Sequence, residues 1–185
     1  TLGTATTPEH LNRLFRVTSE LVFCFDGDRA GRAAAWRALE NALEHARDGR
    51  QLRFLFLPEG HDPDTLVGEE GAEAFEARVA GALPISEFLV TQLAAQADLA
   101  SVDGRAKLAE LARPLLARVP AGVYHELLLE RLAQEVRMPA GRLADLLKAR
   151  PEDTRGVWAA RGHRPARGKA PRSAGRQPLL TQAIL

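Results

Sequence analysis

The chain has 185 residues, 45% hydrophobic and 26% charged, with a formal net charge of +1, so it can bury a real core and is too long to be a minimal module. One cysteine, Cys24, excludes an internal disulfide and fits a reducing compartment. With no initiator Met, signal peptide or long apolar span, neither secretion nor membrane insertion is expected, and a start at Thr1 in mid-fold suggests a piece of a longer protein.

The small net charge hides an asymmetry. Residues 151–185 carry seven Lys/Arg against two Asp/Glu, which leaves 18 against 22 for residues 1–150. A folded part with an acidic balance is not a general nucleic-acid binder, so contact with nucleic acid there needs a local basic patch or a bridging metal.

In chain order, residues 2–7 form a small-residue loop that feeds Pro8-Glu9-His10-Leu11-Asn12-Arg13-Leu14-Phe15. Thr7 suits an N-cap followed by a first-turn proline, and Leu11, Leu14 and Phe15 fall on one helical face. His10 reads as a solvated helix residue. Leu21-Val22-Phe23-Cys24-Phe25 is a strand-favouring apolar run that reads as a buried strand, with Cys24 a small buried hydrophobe. It runs directly into Asp26-Gly27-Asp28 and then into a helix-compatible stretch from Arg29 to Arg47, with Gly49 as its stop and Ala34, Trp36, Leu39, Ala42 and Leu43 as its apolar face.

Ligands gather at the carboxyl ends of strands in open α/β sheets, which is where Asp26 and Asp28 fall. Gly27 permits a sharp turn that lets the two carboxylates converge, and a hard divalent ion such as Mg²⁺ or Mn²⁺ would neutralise them. The plainer alternative is that Asp28 caps the following helix while Asp26 and Gly27 make an ordinary turn. Arg29 and Arg32 lie in the first helical turn, where the dipole disfavours cations, which points to phosphate or else to simple solvation.

A second strand, Leu52-Arg53-Phe54-Leu55-Phe56-Leu57, ends at Pro58 and is followed by Glu59-Gly60-His61-Asp62-Pro63-Asp64. Pro63 stiffens that loop. If the helix between the strands crosses over in the right-handed sense, the strands are parallel and two carboxylate pairs meet at one rim. Asp64 doubles as a candidate N-cap for the next helix, and His61 is a candidate phosphate contact or proton shuttle, or an exposed loop residue.

Residues 72–79 read as a short helix closed by Gly81 and Pro84, and serial helices follow over 85–96, 104–119 with Pro114 kinking it, 122–136 and 140–149. Val123, Leu127, Leu128, Leu132 and Val136 are spaced as a packed face, with Tyr124 and Met138 at its edge. Residues 161–176 are rich in Gly, Pro, Arg and Ala and read as a flexible basic linker, before an apolar pattern restarts at Pro178.

The runs Leu2 to Phe15, Phe25-Asp26-Gly27-Asp28-Arg29-Ala30-Gly31-Arg32 with the helix behind it, and Phe56 to Val67 through Asp62-Pro63-Asp64 together resemble bacterial replicative DNA primase of the DnaG type. The resemblance implies an α/β Toprim-like fold with a partial parallel sheet and flanking helices, then an all-α helical subdomain and a disordered basic tail. Residues 1–83 would be the C-terminal half of the Toprim domain, 84–150 the helical subdomain of the polymerase region, 151–177 the linker and 178–185 the truncated start of a helicase-binding domain.

By the same resemblance Asp26, Asp28, Asp62 and Asp64 would hold Mg²⁺ or Mn²⁺ during synthesis of RNA primers on single-stranded DNA from ribonucleoside triphosphates, with Asp26 and Asp28 catalytic. Arg29, Arg32 and His61 would touch nucleotide or nucleic acid, the partner would be the replicative helicase through the truncated C-terminal region, and the location would be the cytoplasmic replisome. The family's catalytic Glu from an earlier strand, its zinc-binding domain and its basic template-holding subdomain have no counterpart in these residues, so this piece alone is expected to be inactive. Another Toprim activity (topoisomerase, nuclease or recombination mediator) and a non-catalytic fragment docking helicase or DNA are the alternatives.

Overall fold

In the computed structural model, residues 6–149 are described. The segments expected to form the linker and the helicase-binding start, 151–177 and 178–185, lie outside the described residues.

Thr7 opens α1 (Pro8–Leu14) as expected: its hydroxyl accepts the His10 N–H at 3.4 Å, and the imidazole of His10 reaches back to the Thr7 N–H. The chain then forms β1 (Glu20–Phe25), α2 (Arg29–Ala42), a 3₁₀ turn over Leu43–His45 and β2 (Gln51–Phe56). The helix thus ends several residues short of Arg47, where the backbone tightens before the turn at Gly49, whose φ is 77°. The strands β1 and β2 pair in parallel, Glu20 opposite Gln51 through Phe25 opposite Phe56, so both point their C-terminal ends at one rim.

After β2 come α3 (Pro63–Glu70), α4 (Ala72–Ala80) and a two-residue strand β3 (Leu83–Pro84) antiparallel to β2. The sheet is therefore small and mixed, ordered β1-β2-β3, where the sequence suggests only parallel pairing. Two residues are too few for a periodicity signal, and Pro84 is tolerated because it sits on an edge strand. β1 is the other edge, and for that reason Cys24 is exposed instead of buried.

The period-two alternation of β2 divides the core. Leu52 and Phe54 face a large cluster with Leu11, the α2 residues Ala35, Ala38, Leu39 and Ala42, and the helices that follow. Leu55 and Leu57 face a smaller cluster with Leu66 of α3 and, packed against it, Phe75 and Val79 of α4.

The helical part comprises α5 (Ile85–Ala94), α6 (Val102–Leu116), α7 (Val123–Val136) and α8 (Ala140–Lys148). It shares the larger core and has no separate one. Phe88 of α5 lies with its ring centroid 4.8 Å from that of Phe54 and 5.3 Å from that of Phe56. Helix α6 runs through Pro114 without a break. The buried face of α7 is Leu128, Leu129, Leu132, Ala133 and Val136, while Val123 and Leu127 are exposed, so the packed stripe lies a step round from the one the spacing suggests.

Two features at the ends of α7 set its stability. Its first N–H groups, at Val123 and Tyr124, donate at 3.1 and 2.6 Å to the two carboxylate oxygens of Asp48, from the turn before β2. Its C-terminus closes at Arg137 with φ 55° and ψ 48°, a left-handed conformation that glycine adopts at no steric cost. Replacing Asp48 by Ala is expected to cost about 1–2 kcal/mol through the lost cap. Arg137→Gly is expected to stabilise by about 1 kcal/mol through relief of the left-handed strain. Urea unfolding checks both: the midpoint should fall for the first and rise for the second with the slope unchanged.

Candidate functional site

Each strand of the parallel pair runs through a loop into a helix with two aspartates at the junction, and the loops touch. A side chain on Gly27 would collide with the Leu57 carbonyl oxygen at the end of β2, and one on Gly31 with the Asp26 carbonyl oxygen. Glycine at these positions lets the first loop lie flat against the second and lets α2 start hard against the end of β1. The signal for Gly31 was present in the sequence as a glycine three residues after Asp28, yet only the backbone contact gives it a meaning.

The two pairs divide their work in opposite order. In the first loop the second carboxylate, Asp28, is the N-cap of α2, with Oδ1 accepting the Gly31 N–H at 2.6 Å. At the second junction the first aspartate, Asp62, caps α3, accepting the Thr65 N–H and the Thr65 hydroxyl, each at 2.7 Å. The cap that the sequence allowed for Asp64 thus belongs to Asp62, because Pro63 takes the first helical position and fixes the start of α3 there. The Thr65 N–H and hydroxyl, helped by the Asp64 N–H and His61, hold the Asp62 carboxyl below the usual carboxylate range.

Asp26 and Asp64 are left over. Both are exposed, and neither side chain holds a hydrogen bond or ion pair among the described residues. Asp26 and Pro63 line one open cavity of about 860 Å³ that runs along β1 past Phe23, Phe25 and Arg37.

The basic candidates fall out differently. Arg32 is tied to the loop, its Nε donating to the Gly27 carbonyl at 3.3 Å and its guanidinium lying 5.3 Å over the ring of Phe56. Arg29 is exposed at the start of α2. His61 is turned along its own loop, with Nδ1 3.2 Å from the Glu59 carbonyl and Nε2 3.1 Å from the Glu69 carboxylate of α3.

Among the described residues no three His, Cys, Asp or Glu side chains converge on a point where they could share one ion. The donors at the rim are all carboxylate oxygens. Such a set fits a hard divalent ion that takes one or two protein carboxylates and fills its shell with water and phosphate, as Mg²⁺ does, and does not fit a closed structural cage.

A Toprim activity that attacks through tyrosine finds no support here. The chain's single tyrosine, Tyr124, is half-buried in the first turn of α7, and burial pushes its phenol up to about 12 despite a hydrogen bond with Ser86.

A family model described as Toprim-like matches residues 1–67, and one described as the DnaB-helicase binding domain of primase matches residues 86–141. The DNA primase of Escherichia coli (strain K12) is 56% identical over 144 residues, covering 78% of this chain and 24% of that protein. Among solved structures, a DNA primase domain from Pseudomonas aeruginosa aligns with a TM-score of 0.75 at 48% identity, over 80% of this chain and 47% of that one. A DnaG primase catalytic domain bound to ssDNA gives a TM-score of 0.73 at 51% identity, over 76% and 45%. The Toprim-like fold expected from the sequence is borne out, and the chain spans about a quarter of the length of the curated relative.

The capping role of Asp28 is separable from any role in holding charge. Asp28→Ala is expected to lower stability by about 1 kcal/mol, whereas Asp28→Asn keeps a good cap and should stay within about 0.5 kcal/mol of the parent. Thermal melts of the pair check this, and equal losses in both would show that the carboxylate's charge, not its cap, supports the fold.

Proposed function

The chain belongs to the bacterial DnaG-type DNA primases, and from that premise we propose that it carries the acidic rim with which a primase makes short RNA primers on single-stranded DNA from ribonucleoside triphosphates. The observation that carries this proposal is the rim itself, with Asp26 and Asp64 uncommitted beside the capping carboxylates Asp28 and Asp62, at the shared end of two parallel strands. Activity is proposed for the primase as a whole, since the chain spans about a quarter of its relative's length.

Asp26, Asp28, Asp62 and Asp64 would supply carboxylate oxygens to divalent cations, Mg²⁺ or Mn²⁺, one or two to an ion, and such cations would supply charge neutralisation for the triphosphate while a 3′ hydroxyl attacks the α-phosphate. The chain's own contribution is positional. Asp28 and Asp62 pin the N-termini of α2 and α3 at the rim, so the positive ends of two helices face the region where phosphate charge gathers. Arg32, steadied by Gly27 and Phe56, and the exposed Arg29 stand in the first turn of α2, in reach of that region as phosphate contacts. His61 is held by Glu69 and is the weakest of the three candidates for such a contact.

A replicative helicase is the partner we propose, supported by the helicase-binding family model over α5, α6, α7 and the start of α8. A boundary near residue 83, between the Toprim half and the helical subdomain, belongs to the same proposal. Among the described residues no helix is long and apolar enough to cross a membrane, and the proposed setting is the cytoplasmic replisome.

The test is primer synthesis by the full-length primase on single-stranded DNA with Mg²⁺ and labelled ribonucleotides. Asp26→Asn and Asp64→Asn should each lower the rate by about 10²-fold or more, because several kcal/mol of charge stabilisation is at stake. Their melting temperatures should not fall, since neither side chain holds a hydrogen bond or ion pair among the described residues. Primer synthesis at the parental rate in both variants would remove the rim from the mechanism.

A further inference from the structure

At the end of the sheet opposite the acidic rim, the segments that lead into β1 and β2 border a shallow, open depression of about 530 Å³, with Arg16, Arg47 and Arg50 along it beside Phe15, Thr18 and Ser19. Five other arginines, Arg53, Arg78, Arg113, Arg118 and Arg131, meet carboxylates within 3.3 Å. Among the described residues these three meet none. The carboxylate lining the cavity, Asp48, gives both its oxygens to the N-terminus of α7.

The cluster is built by the fold. The turn over residues 47–50 is closed by the Arg50 N–H donating to the Arg47 carbonyl at 3.1 Å, with Gly49 at φ 77°, which sets the two arginines side by side. The guanidinium of Arg50 lies 4.1 Å over the ring of Phe15 and donates toward Nδ1 of the buried His45 at 3.3 Å. Burial holds His45 toward its neutral form, which suits it as an acceptor, and burial together with the charge of Arg47 pushes the Arg50 pKa down. Positive charge is concentrated here with no carboxylate paired to it among the described residues.

We propose that this pocket binds the phosphodiester backbone of a nucleic-acid strand. Six-residue strands put it roughly 20 Å from the acidic rim, so it grips a different stretch of the strand from the one at the rim. Guanidinium groups match phosphate geometry, and three of them on one concave surface supply the local basic patch that an acidic folded part needs to touch nucleic acid. A free nucleotide fits less well. Arg50 already covers the face of Phe15 and leaves no platform for a base, and the Thr18 hydroxyl is committed to the backbone of Glu20. The contact therefore reads charge and not sequence. It goes beyond the primer-synthesis proposal and rests on it only for nucleic acid as the source of the phosphates.

The experiment is a salt titration of the affinity of full-length primase for a fluorescent oligothymidylate, comparing parent, Arg16→Gln/Arg47→Gln, and a control pair, Arg142→Gln/Lys148→Gln, on the exposed face of α8. The first variant should lower the slope of log affinity against log salt by about 1.4, the value for two lost phosphate contacts on a single strand. It should weaken binding about tenfold at low salt, keep its melting temperature, and keep its synthesis rate at saturating template. The control pair should match the parent. An unchanged slope in the first variant, or an equal fall in the control, overturns the proposal. Tripolyphosphate binding that is lost in the first variant while oligothymidylate binding is kept overturns it in favour of a free-phosphate site. Failure of the parent to make RNA would sink the primer-synthesis proposal alone, because the binding slopes are read without synthesis.

Discussion

The acidic rim exists because residue 27 has no side chain. With the Leu57 carbonyl oxygen filling the place of a β-carbon, the turn after β1 rests directly on the end of β2, and the backbone N of Glu59 lies 3.5 Å from the same point. Parallel pairing has already brought Phe25 level with Phe56, so the two loops leave the sheet at one height. The glycine then removes the remaining separation between them. Beneath the loops a stack of Phe25, Phe54, Phe56 and Phe88, with ring centroids 4.8 to 6.3 Å apart, fixes the strand ends from the core side.

Four carboxylates near one rim would ordinarily repel, and the local structure divides them so that repulsion is limited. Asp28 and Asp62 turn their charge onto helix N-termini, where orphan N–H groups and the positive end of the helix dipole offset it. That leaves Asp26 and Asp64, one per junction, to face solvent. At the opposite end of the sheet, Arg16, Arg47 and Arg50 line the open depression without a carboxylate partner among the described residues.

Much of this was legible in the residues, and the parts that were not share a cause. The cap at Thr7, the strand into Asp26-Gly27-Asp28 and the proline-stiffened Asp62-Pro63-Asp64 loop depend on contacts within about four residues, and local chemistry announces them. Asp48 capping α7 spans 75 residues of chain, and nothing around Asp48 signals it. The exposure of Cys24 depends on which edge of the sheet β1 occupies, and the buried face of α7 depends on where α6 and α8 pack. An apolar run states that a strand or helix is present and not which side finds a partner. The sequence offers Asp64 as the cap because it precedes helix-compatible residues, and the structure gives that place to Asp62. Pro63 decided it through the geometry of the first turn.

The sheet and the helices form one mechanical unit. Arg32 at the head of α2 lies over Phe56, Phe56 packs on Phe88 of α5, and α5 is joined to α7 by the forked contacts of Arg131 with Glu87 at 3.1 and 3.2 Å. From the other end of the sheet, Asp48 holds the N-terminus of α7, and Arg118 just beyond α6 meets Glu44 in the 3₁₀ turn at 3.2 Å. The helical part is thus fastened to both ends of β2, through the core at the acidic rim and through polar contacts at the basic end. Because close-packed interiors deform little, α5 and α7 cannot shift without disturbing the aromatic stack under the rim or the cap at Asp48. The strands set the distance between the two ends of the sheet, and the helices, fastened near both, brace it.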